Sequence, residues 1–282
     1  MRIDQLLAQG LTRSFEFFPP KNDEESQVLG TTIAELRELN PSFVSVTYRG
    51  GAESRQRTFD LVSSIEHDTG ITAMAHLICV GHQRDEMREI LSNYVTNGIS
   101  NIMALGGDIP DDPALQGGDF VHAIDLVRLA KEVGDFSVGV AAHPLGHPRS
   151  PDLASDRKYL AEKLRVADFA VTQFFFEARE WTQLVSELAD HGVTKPVLPG
   201  IMPVTTLSGA ARMASMGAAV PEWLYSRLES VKDLGPGAVR AEGIKAATEL
   251  SHELLSAGAP GLHFYTLNRS TATQEIHSQL FD

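Results

Sequence analysis

The chain has 282 residues, of which 43% are hydrophobic and 22% charged, a profile typical of a globular protein rather than a fibrous or disordered one. Its net charge of −13 repels phosphate backbones and anionic lipids, which argues against nucleic acid and membrane partners. The single cysteine, Cys79, excludes a disulfide framework and any multi-cysteine metal centre. We find neither a run of ~18 apolar residues nor the apolar core of a signal peptide, so we expect a cytoplasmic protein.

Short β-rich runs alternate with amphipathic stretches along the whole chain. After the first run, apolar residues repeat at helical spacing between an N-cap predicted at Asp23 and a stop at Pro41. The same alternation continues to the end of the sequence. The predicted strands cover residues 13–18, 43–48, 72–80, 100–107, 137–144, 169–176, 196–203 and 261–268.

Eight strand–helix units in a row, with strands apolar on both faces, predict a parallel sheet covered by helices. Eight such units close into a (β/α)8 barrel, the TIM-barrel fold of the α/β class. An open doubly wound sheet is the competing fold, but no glycine-rich phosphate motif follows the first strand. We therefore expect one catalytic domain over residues 1–282, with two or three extra helices at residues 204–260, between the seventh and eighth strands.

The active site of such a barrel lies at the C-terminal ends of its strands, so polar residues at those ends are the candidates. At any single position, the better interpretation is that polarity simply resumes where a strand ends. The candidates taken from the strand ends are Glu16, Thr47, Tyr48, His76, Asp108, His143, Gln173, Tyr265, Asn268 and Arg269.

Glu16 is the most informative of these residues because it lies between Phe15 and Phe17. Strand alternation places it on the same face as Ser14, pointing into the barrel. A carboxyl group there is costly to ionise and therefore suits a proton donor at neutral pH. The alternative is a buried glutamate paired with a neighbouring arginine or lysine.

The end of the fourth strand, Gly106-Gly107-Asp108, is a second candidate. Two glycines allow a ligand ring to approach the backbone closely, and a carboxylate beside them can accept hydrogen bonds from an amino-pyrimidine edge. An ordinary tight turn is the alternative interpretation.

Metal and nucleophile chemistry are weaker hypotheses. His143 and His147 are four residues apart, but the prolines that follow each of them argue against a helix holding both on one face. Asp108, Asp111 and Asp112 are typical of a solvated loop. We predict no required metal. Cys79 has apolar neighbours and no nucleophile elbow is present, so covalent catalysis is not predicted either.

Motifs at every predicted strand resemble the methylenetetrahydrofolate reductase family over nearly the whole chain. That resemblance implies a (β/α)8 barrel that reduces 5,10-methylenetetrahydrofolate to 5-methyltetrahydrofolate, with NADH or NADPH as donor and a bound FAD that relays the hydride. The matching segments are SFEFFPPK (14–21), VSVTY (44–48), AHL (75–77), GDIP (107–110), VAAHP (140–144), TQFFF (172–176), PGIMP (199–203) and HFYTLNR (263–269).

The resemblance also implies roles for individual residues. Glu16 corresponds to the general acid that opens the imidazolidine ring, and Asp108 to the carboxylate that faces the pterin. Gln173 corresponds to an amide that contacts folate and nicotinamide, and Tyr265 is counted with the substrate-binding residues. Arg269 lies where the family contacts the anionic folate tail, which needs a local cation on a chain of net charge −13.

The residues corresponding to the family's FAD site depart from its pattern. Gly106 and Glu162 both stand where the family has an arginine that contacts the FAD phosphates, and Glu162 would place a negative charge beside the pyrophosphate. Losing two arginine–phosphate pairs lowers affinity by a hundredfold or more at about 1.4 kcal/mol per factor of ten. Three further positions are changed, namely His143, Tyr159 and Leu207. Four family positions are kept, namely Thr47, His76, Asp156 and Lys163.

Two enzyme hypotheses follow for this site. In the favoured one FAD is absent and NADH or NADPH passes a hydride directly to folate, and in the other FAD is bound through backbone N–H groups. A catalytically inactive folate- or nucleotide-binding barrel is a remote third. The choice between NADH and NADPH and the oligomeric state stay open. The predicted cofactor-binding residues are Thr47, His76, Gly106, Gly107, His143, Asp156 and Lys163.

Overall fold

Residues 1–48, 52–108, 117–216 and 218–281 are described by this computed structural model. Of the residues discussed above, Ile109, Pro110, Asp111 and Asp112 lie outside the described ranges. Parallel strands alternate with helices in the described part of the chain. The strands are β1 (Thr12–Phe17), β2 (Phe43–Val46), β3 (Ala73–Ile78), β4 (Asn101–Leu105), β5 (Ser137–Ala142), β6 (Phe169–Thr172), β7 (Val197–Leu198), β8 (Gly200–Ile201) and β9 (Gly261–Tyr265).

Helices cover the outside of the sheet. They are α1 (Ile3–Gln9), α2 (Asp23–Arg37), α3 (Ala52–Ser64), α4 (Arg84–Thr96), α5 (Ala123–Val133), α6 (Leu153–Leu164), α7 (Ala178–Asp190), α8 (Leu207–Met216), α9 (Glu222–Ser230), α10 (Pro236–Ser256) and α11 (Thr271–Phe281). One of them, α1, closes the end of the barrel at which the strands begin, called the lower end below; the strands finish at the upper end. A π-turn at Ile65–Thr69 extends α3, and a 3₁₀ turn at Lys232–Leu234 follows α9. None of the helices within the described ranges is long and apolar enough to cross a membrane.

The sheet runs in the order β7-β6-β5-β4-β3-β2-β1-β9-β8, so its two edge strands are consecutive in sequence. Only Pro199 separates β7, which pairs with β6, from β8, which pairs with β9. The barrel predicted from the sequence is therefore confirmed, and it is nearly closed. The seventh predicted strand is split, because proline lacks the N–H that a continuous ladder needs.

Gly200 permits this closure. Its N–H donates to Thr172 Oγ1 at 2.9 Å. A Cβ at this position would overlap the carbonyl oxygen of Thr172 and lie 2.5 Å from Tyr265 Cε2. A residue without a side chain is thus required where the first and last parts of the sheet meet.

Alternation along β1 decides what faces the barrel interior. Phe15 and Phe17 pack outward in the cluster that includes Leu29 and Leu36 of α2. Glu16 therefore points inward, as its position in the sequence predicts. Helix α2 itself begins one residue earlier than expected. Asn22, rather than Asp23, is the N-cap, because its Oδ1 accepts from Glu25 N–H at 2.9 Å.

The lower half of the interior is an apolar floor. The backbone N–H of Ile3 in α1 donates to Asn101 Oδ1 at 2.8 Å, which fixes this helix under the strands. Burying these side chains contributes about 1.5–3 kcal/mol each and leaves only the upper end open. The floor is made of Ile3, Leu7, Phe43, Met74, Met103, Phe169, Val171 and Leu198.

The stretch from 204 to 260, where extra helices are expected, contains α8, α9 and α10. They share an apolar cluster with Phe174, Phe176 and Met202 at the upper end of the barrel. Gly243 lets α10 approach the chain after β8, since a Cβ there would overlap Val204 O. The added helices thus form one wall of the open end.

Candidate active site

A cavity of about 460 Å³ opens at the C-terminal ends of the strands. Eight of the residues predicted from the sequence line it together, namely Glu16, Thr47, Tyr48, His76, Asp108, His143, Gln173 and Tyr265. Apolar side chains from β4, β6 and the loops after β1, β6, β8 and β9 complete the wall, among them Phe18, Met103, Leu105, Val171, Phe174, Met202 and Leu267. Such a mixture of apolar wall and few polar groups is typical of a small-molecule site.

Glu16 is 8% exposed and its carboxylate touches three strands. Its Oε2 lies 3.5 Å from Ser45 Oγ on β2, 3.5 Å from His76 Nε2 on β3 and 3.6 Å from His263 Nε2 on β9. Among the described residues its ion-pair partners are both histidines. Pairing with an arginine or lysine, the alternative considered from the sequence, is not what the described residues show.

Two groups near Glu16, His76 and Tyr265, have pKa values that keep them uncharged at neutral pH. Burial lowers the pKa of His76, against the opposing pull of the Glu16 charge. Burial and the same carboxylate raise the pKa of Tyr265 well above its usual value, and its hydroxyl donates to Thr172 O at 2.6 Å. A carboxyl group whose histidine and tyrosine neighbours are neutral is suited to delivering a proton to a substrate.

Two polar atoms in the cavity wall have no hydrogen-bond partner within the described structure. They are Thr47 Oγ1 and His76 Nε2, both buried. His76 Nε2 lies near Glu16, as given above, but without the geometry of a hydrogen bond. Buried polar atoms are nearly always satisfied, so these two are suited to meeting a ligand.

Asp108 and Gln173 reach the cavity from two different strand ends. Asp108 is exposed and follows β4, whereas Gln173 follows β6 and donates its N–H to Ala142 O at 2.8 Å. The side-chain Oε1 of Gln173 accepts from Phe174 N–H at 3.0 Å, which orients the amide. A carboxylate and an amide at the mouth provide hydrogen-bonding groups for a polar ring edge.

The two glycines after β4 differ in what they do. Gly107 has φ +87°, and a Cβ there would overlap Ile78 Cγ2 and lie 2.7 Å from Val80 Cγ1. Packing against β3 and the residues after it therefore explains Gly107, so close approach of a ligand ring is not needed to account for it. Gly106 is different, because the nearest atoms lie 4.0 Å from where its Cβ would be.

Five predicted binding residues are not among those that line the cavity: Gly106, Gly107, Asp156, Lys163 and Arg269. Asp156 is buried and accepts from His147 N–H and Ser150 Oγ, both at 3.0 Å. Lys163 Nζ donates to the carbonyl of Ala141, a cavity residue, at 3.1 Å. Arg269 is exposed, two residues beyond Leu267 at the rim.

His143 lies at the end of β5 and lines the cavity. Burial, His147 and Lys163 together lower the pKa of His143 to about 4, so this imidazole is neutral near neutral pH. The ring of His147 meets it edge-on, with the centroids 4.6 Å apart. Within the described ranges no group of three or more His, Cys, Asp or Glu side chains could hold a metal ion.

Ser45 and His263 are site residues that the sequence reasoning did not select. His263 is fully buried, and its Nδ1 lies 2.8 Å from Ser14 Oγ. The period of two along β9 puts His263 on the same face as Tyr265, which is the signal that could have found it. Cys79, in contrast, is buried outside the cavity, and burial raises its pKa to about 12, which suits a structural thiol.

The residues at the expected FAD phosphate positions do not fit that group. Gly106 contributes no side chain, and Glu162 is an acid on α6, one residue before Lys163. Tyr159 of the same helix is 51% exposed. A resident pyrophosphate needs several charge-assisted hydrogen bonds, which these three residues do not provide.

Comparison with known proteins identifies the family. The family model for methylenetetrahydrofolate reductase matches residues 2–281. A 5,10-methylenetetrahydrofolate reductase of Salmonella typhimurium is 37% identical over 265 residues, covering 93% of this chain and 88% of that protein, and its counterpart in Escherichia coli is 36% identical with the same coverage. A "Methylenetetrahydrofolate reductase (NADH) 1" of Arabidopsis thaliana is 34% identical over 95% of this chain and 48% of that protein.

A solved structure has the same fold. It is an uncharacterised Clostridium thermocellum protein that binds two copies of 5-methyl-5,6,7,8-tetrahydrofolic acid, and it superposes with a TM-score of 0.70 at 13% identity, covering 97% of this chain and 96% of that one. At this identity the likeness shows the fold alone. The sequence relatives and the family model establish more: the chain belongs to the methylenetetrahydrofolate reductase family and is an oxidoreductase of this type.

Proposed function

We propose that this protein reduces 5,10-methylenetetrahydrofolate to 5-methyltetrahydrofolate by direct hydride transfer from NADH or NADPH, without flavin. The observation that carries the reaction is Glu16, a nearly buried carboxyl group in the wall of a cavity also lined by Asp108 and Gln173. Family membership supplies the reaction type and a nicotinamide donor.

The proposed step begins with proton transfer from Glu16 to N10 of the folate. The bond between N10 and the methylene carbon breaks, and a 5-iminium cation forms. Asp108 stabilises that cation with its negative charge. A hydride then moves from C4 of the nicotinamide to the methylene carbon, which gives the 5-methyl group and oxidised nicotinamide, and Glu16 regains its proton from solvent.

The flavin-free part of the proposal rests on the phosphate positions. Gly106 and Glu162 replace the groups that would hold the FAD pyrophosphate, and His143 replaces a ring-packing tyrosine. A net charge of −13 provides little background attraction for the same anion. Binding of FAD through backbone N–H groups is the second candidate, favoured by the retained Thr47 and His76.

Colour and kinetics test the cofactor directly. We expect the purified protein to be colourless and to reduce methylenetetrahydrofolate with a reduced nicotinamide and no added flavin. Initial rates should fit a sequential mechanism, because direct transfer needs both rings in contact. Stoichiometric FAD in the purified protein, or ping-pong kinetics, would show that a flavin relays the hydride.

A further inference from the structure

The loop between β5 and α6 is fixed by a buried ion pair. Asp156 and Arg157 are 7% and 3% exposed, and their side chains are joined at 2.9 Å. Arg157 Nη1 donates to His143 O at 3.0 Å, while Asp156 Oδ1 holds His147 N–H and Ser150 Oγ, as described above. Removing two charges from water to fix a surface loop is costly. The loop is thereby preorganised, as a loop that positions functional side chains needs to be.

This loop carries Arg149 across to the end of β4. Its Nη2 donates to Gly107 O at 2.9 Å and lies 4.0 Å from the place where a Cβ of Gly106 would be. Its backbone N–H donates to His147 Nδ1 at 3.1 Å, which fixes the direction of the loop. A guanidinium has five N–H groups, so a single carbonyl leaves capacity for an anion.

Two basic side chains act on the same imidazole near this loop, although the whole chain is acidic. Arg149 and Lys163 both act on the His143 imidazole in the cavity wall, and both lower its pKa. The two acids on the same loop and the start of α6 already have partners: Asp156 is bound to Arg157 and the loop, and Asp152 caps α6 by accepting from Ser155 N–H. Asp108, which also acts on His147, contributes the opposing charge at the end of β4.

We propose that Arg149 anchors the pyrophosphate of the reduced nicotinamide dinucleotide, in the space beside Gly106, while the nicotinamide lies in the cavity. This inference rests on the proposed function, because it assigns that space to the hydride donor. The pterin part of the folate carries no phosphate, whereas the dinucleotide brings two charged phosphates that a guanidinium can bind in a bidentate manner.

One arginine suits a cosubstrate better than a resident cofactor. A single charge-assisted contact changes affinity by about tenfold to a hundredfold. That is enough to select a dinucleotide over its fragments, and it still allows the oxidised product to leave after each turnover. The absence of a side chain at Gly106 keeps the space open for the phosphates.

Binding measurements test Arg149 without relying on turnover. We would titrate NADH and ADP-ribose, which has the pyrophosphate but no nicotinamide, into wild type, Arg149→Gln, Arg149→Lys and Arg128→Gln. Arg128 is the control: it lies on α5, and its side chain is 57% exposed. Arg128→Gln removes one positive charge, as Arg149→Gln does, so the two variants have the same net charge. We expect Arg149→Gln to weaken both ligands at least tenfold, Arg149→Lys to recover part of the loss, and Arg128→Gln to bind like wild type.

Different results would overturn the role of Arg149 and the flavin-free function. Equal NADH affinity in wild type and Arg149→Gln would overturn the role of Arg149, and so would an equal loss in Arg128→Gln. A wild-type protein that binds FAD and binds no NADH without it would overturn the flavin-free function instead. In that case FAD becomes the titrant, and an unchanged FAD affinity in Arg149→Gln would overturn the anchor as well.

Discussion

At the scale of single residues, Glu16 shows how strand alternation creates a reactive group. Phe15 and Phe17 pack outward, and the residue between them is therefore held inside the barrel, where His76, His263 and Ser45 approach one carboxylate oxygen. The sequence predicted this inward carboxyl group because the period of a strand is local information. It did not reveal Ser45 as a neighbour, since that depends on the register Glu16↔Ser45 between β1 and β2.

We expect Glu16→Gln to lower kcat for methylenetetrahydrofolate reduction by about 10²–10⁴-fold, because an amide is nearly isosteric but cannot donate the proton that opens the ring. The affinity for folate should stay within a few-fold of wild type. Rapid-mixing kinetics and equilibrium folate binding measure the two effects separately.

Glu25→Gln is the matched control for this substitution, since Glu25 lies on the exposed face of α2 and accepts from Lys21 N–H at 2.9 Å. It should leave kcat unchanged. Near wild-type turnover in Glu16→Gln would mean that another group supplies the proton.

At the scale of elements, α10 depends on a close approach that only glycine permits. The helix packs Gly243 against the carbonyl of Val204, where a Cβ would overlap the oxygen. At Gly237, in the first turn of the same helix, a Cβ would have no described residue within 4 Å other than its chain neighbours and the backbone of its own helix. The two glycines are therefore a matched pair within one helix.

We expect Gly243→Ala to destabilise the protein by about 1–3 kcal/mol, since overpacking outweighs the gain in helix propensity. Gly237→Ala should be neutral or stabilise by up to about 1 kcal/mol. Urea unfolding followed by circular dichroism measures both. Equal effects of the two substitutions would show that α10 can move away from Val204 without cost.

Physical reasons also explain which strands and helices the sequence predicts and which it does not. The strand–helix alternation predicts the barrel because each unit carries its own periodicity. It does not predict that the seventh strand splits at Pro199, since the split depends on pairing with β6 on one side and β9 on the other. Helix α1 was not predicted either, because its role as the floor depends on contacts with Asn101 and Ser137, far away in the sequence.

The same limit applies to the candidate site. Eight strand-end residues are brought together in one cavity because strand ends of a parallel barrel meet at one face. The sequence analysis did not select Arg149, because nothing in its local sequence indicates that a guanidinium from the loop after β5 reaches the end of β4. The cytoplasmic location inferred from the sequence stays a prediction.

At the scale of the whole molecule, a net charge of −13 opposes both substrates, which are anions. The field of the whole protein acts over about 30 Å at 0.01 M salt and about 10 Å at 0.1 M, whereas a local cation acts at contact distance. Arg269, exposed just beyond the cavity rim, is the predicted local cation for the folate tail. The contribution of Arg269 to folate binding can therefore be separated from that of the overall charge in two ways: by varying the salt concentration, and by removing the same charge at a distant position.

We expect Arg269→Gln to lower kcat/KM for methylenetetrahydrofolate about tenfold at low salt, because the glutamate tail loses its local partner while the repulsion remains. Raising ionic strength to about 0.2 M should recover part of this loss by screening the repulsion. Arg240→Gln gives the same net charge on the outer helix α10, where Arg240 pairs with Glu275 at 2.8 Å. Steady-state kinetics across a salt series compare the two variants. If both lose the same activity with the same salt dependence, overall charge rather than a contact at Arg269 governs capture of the folate tail.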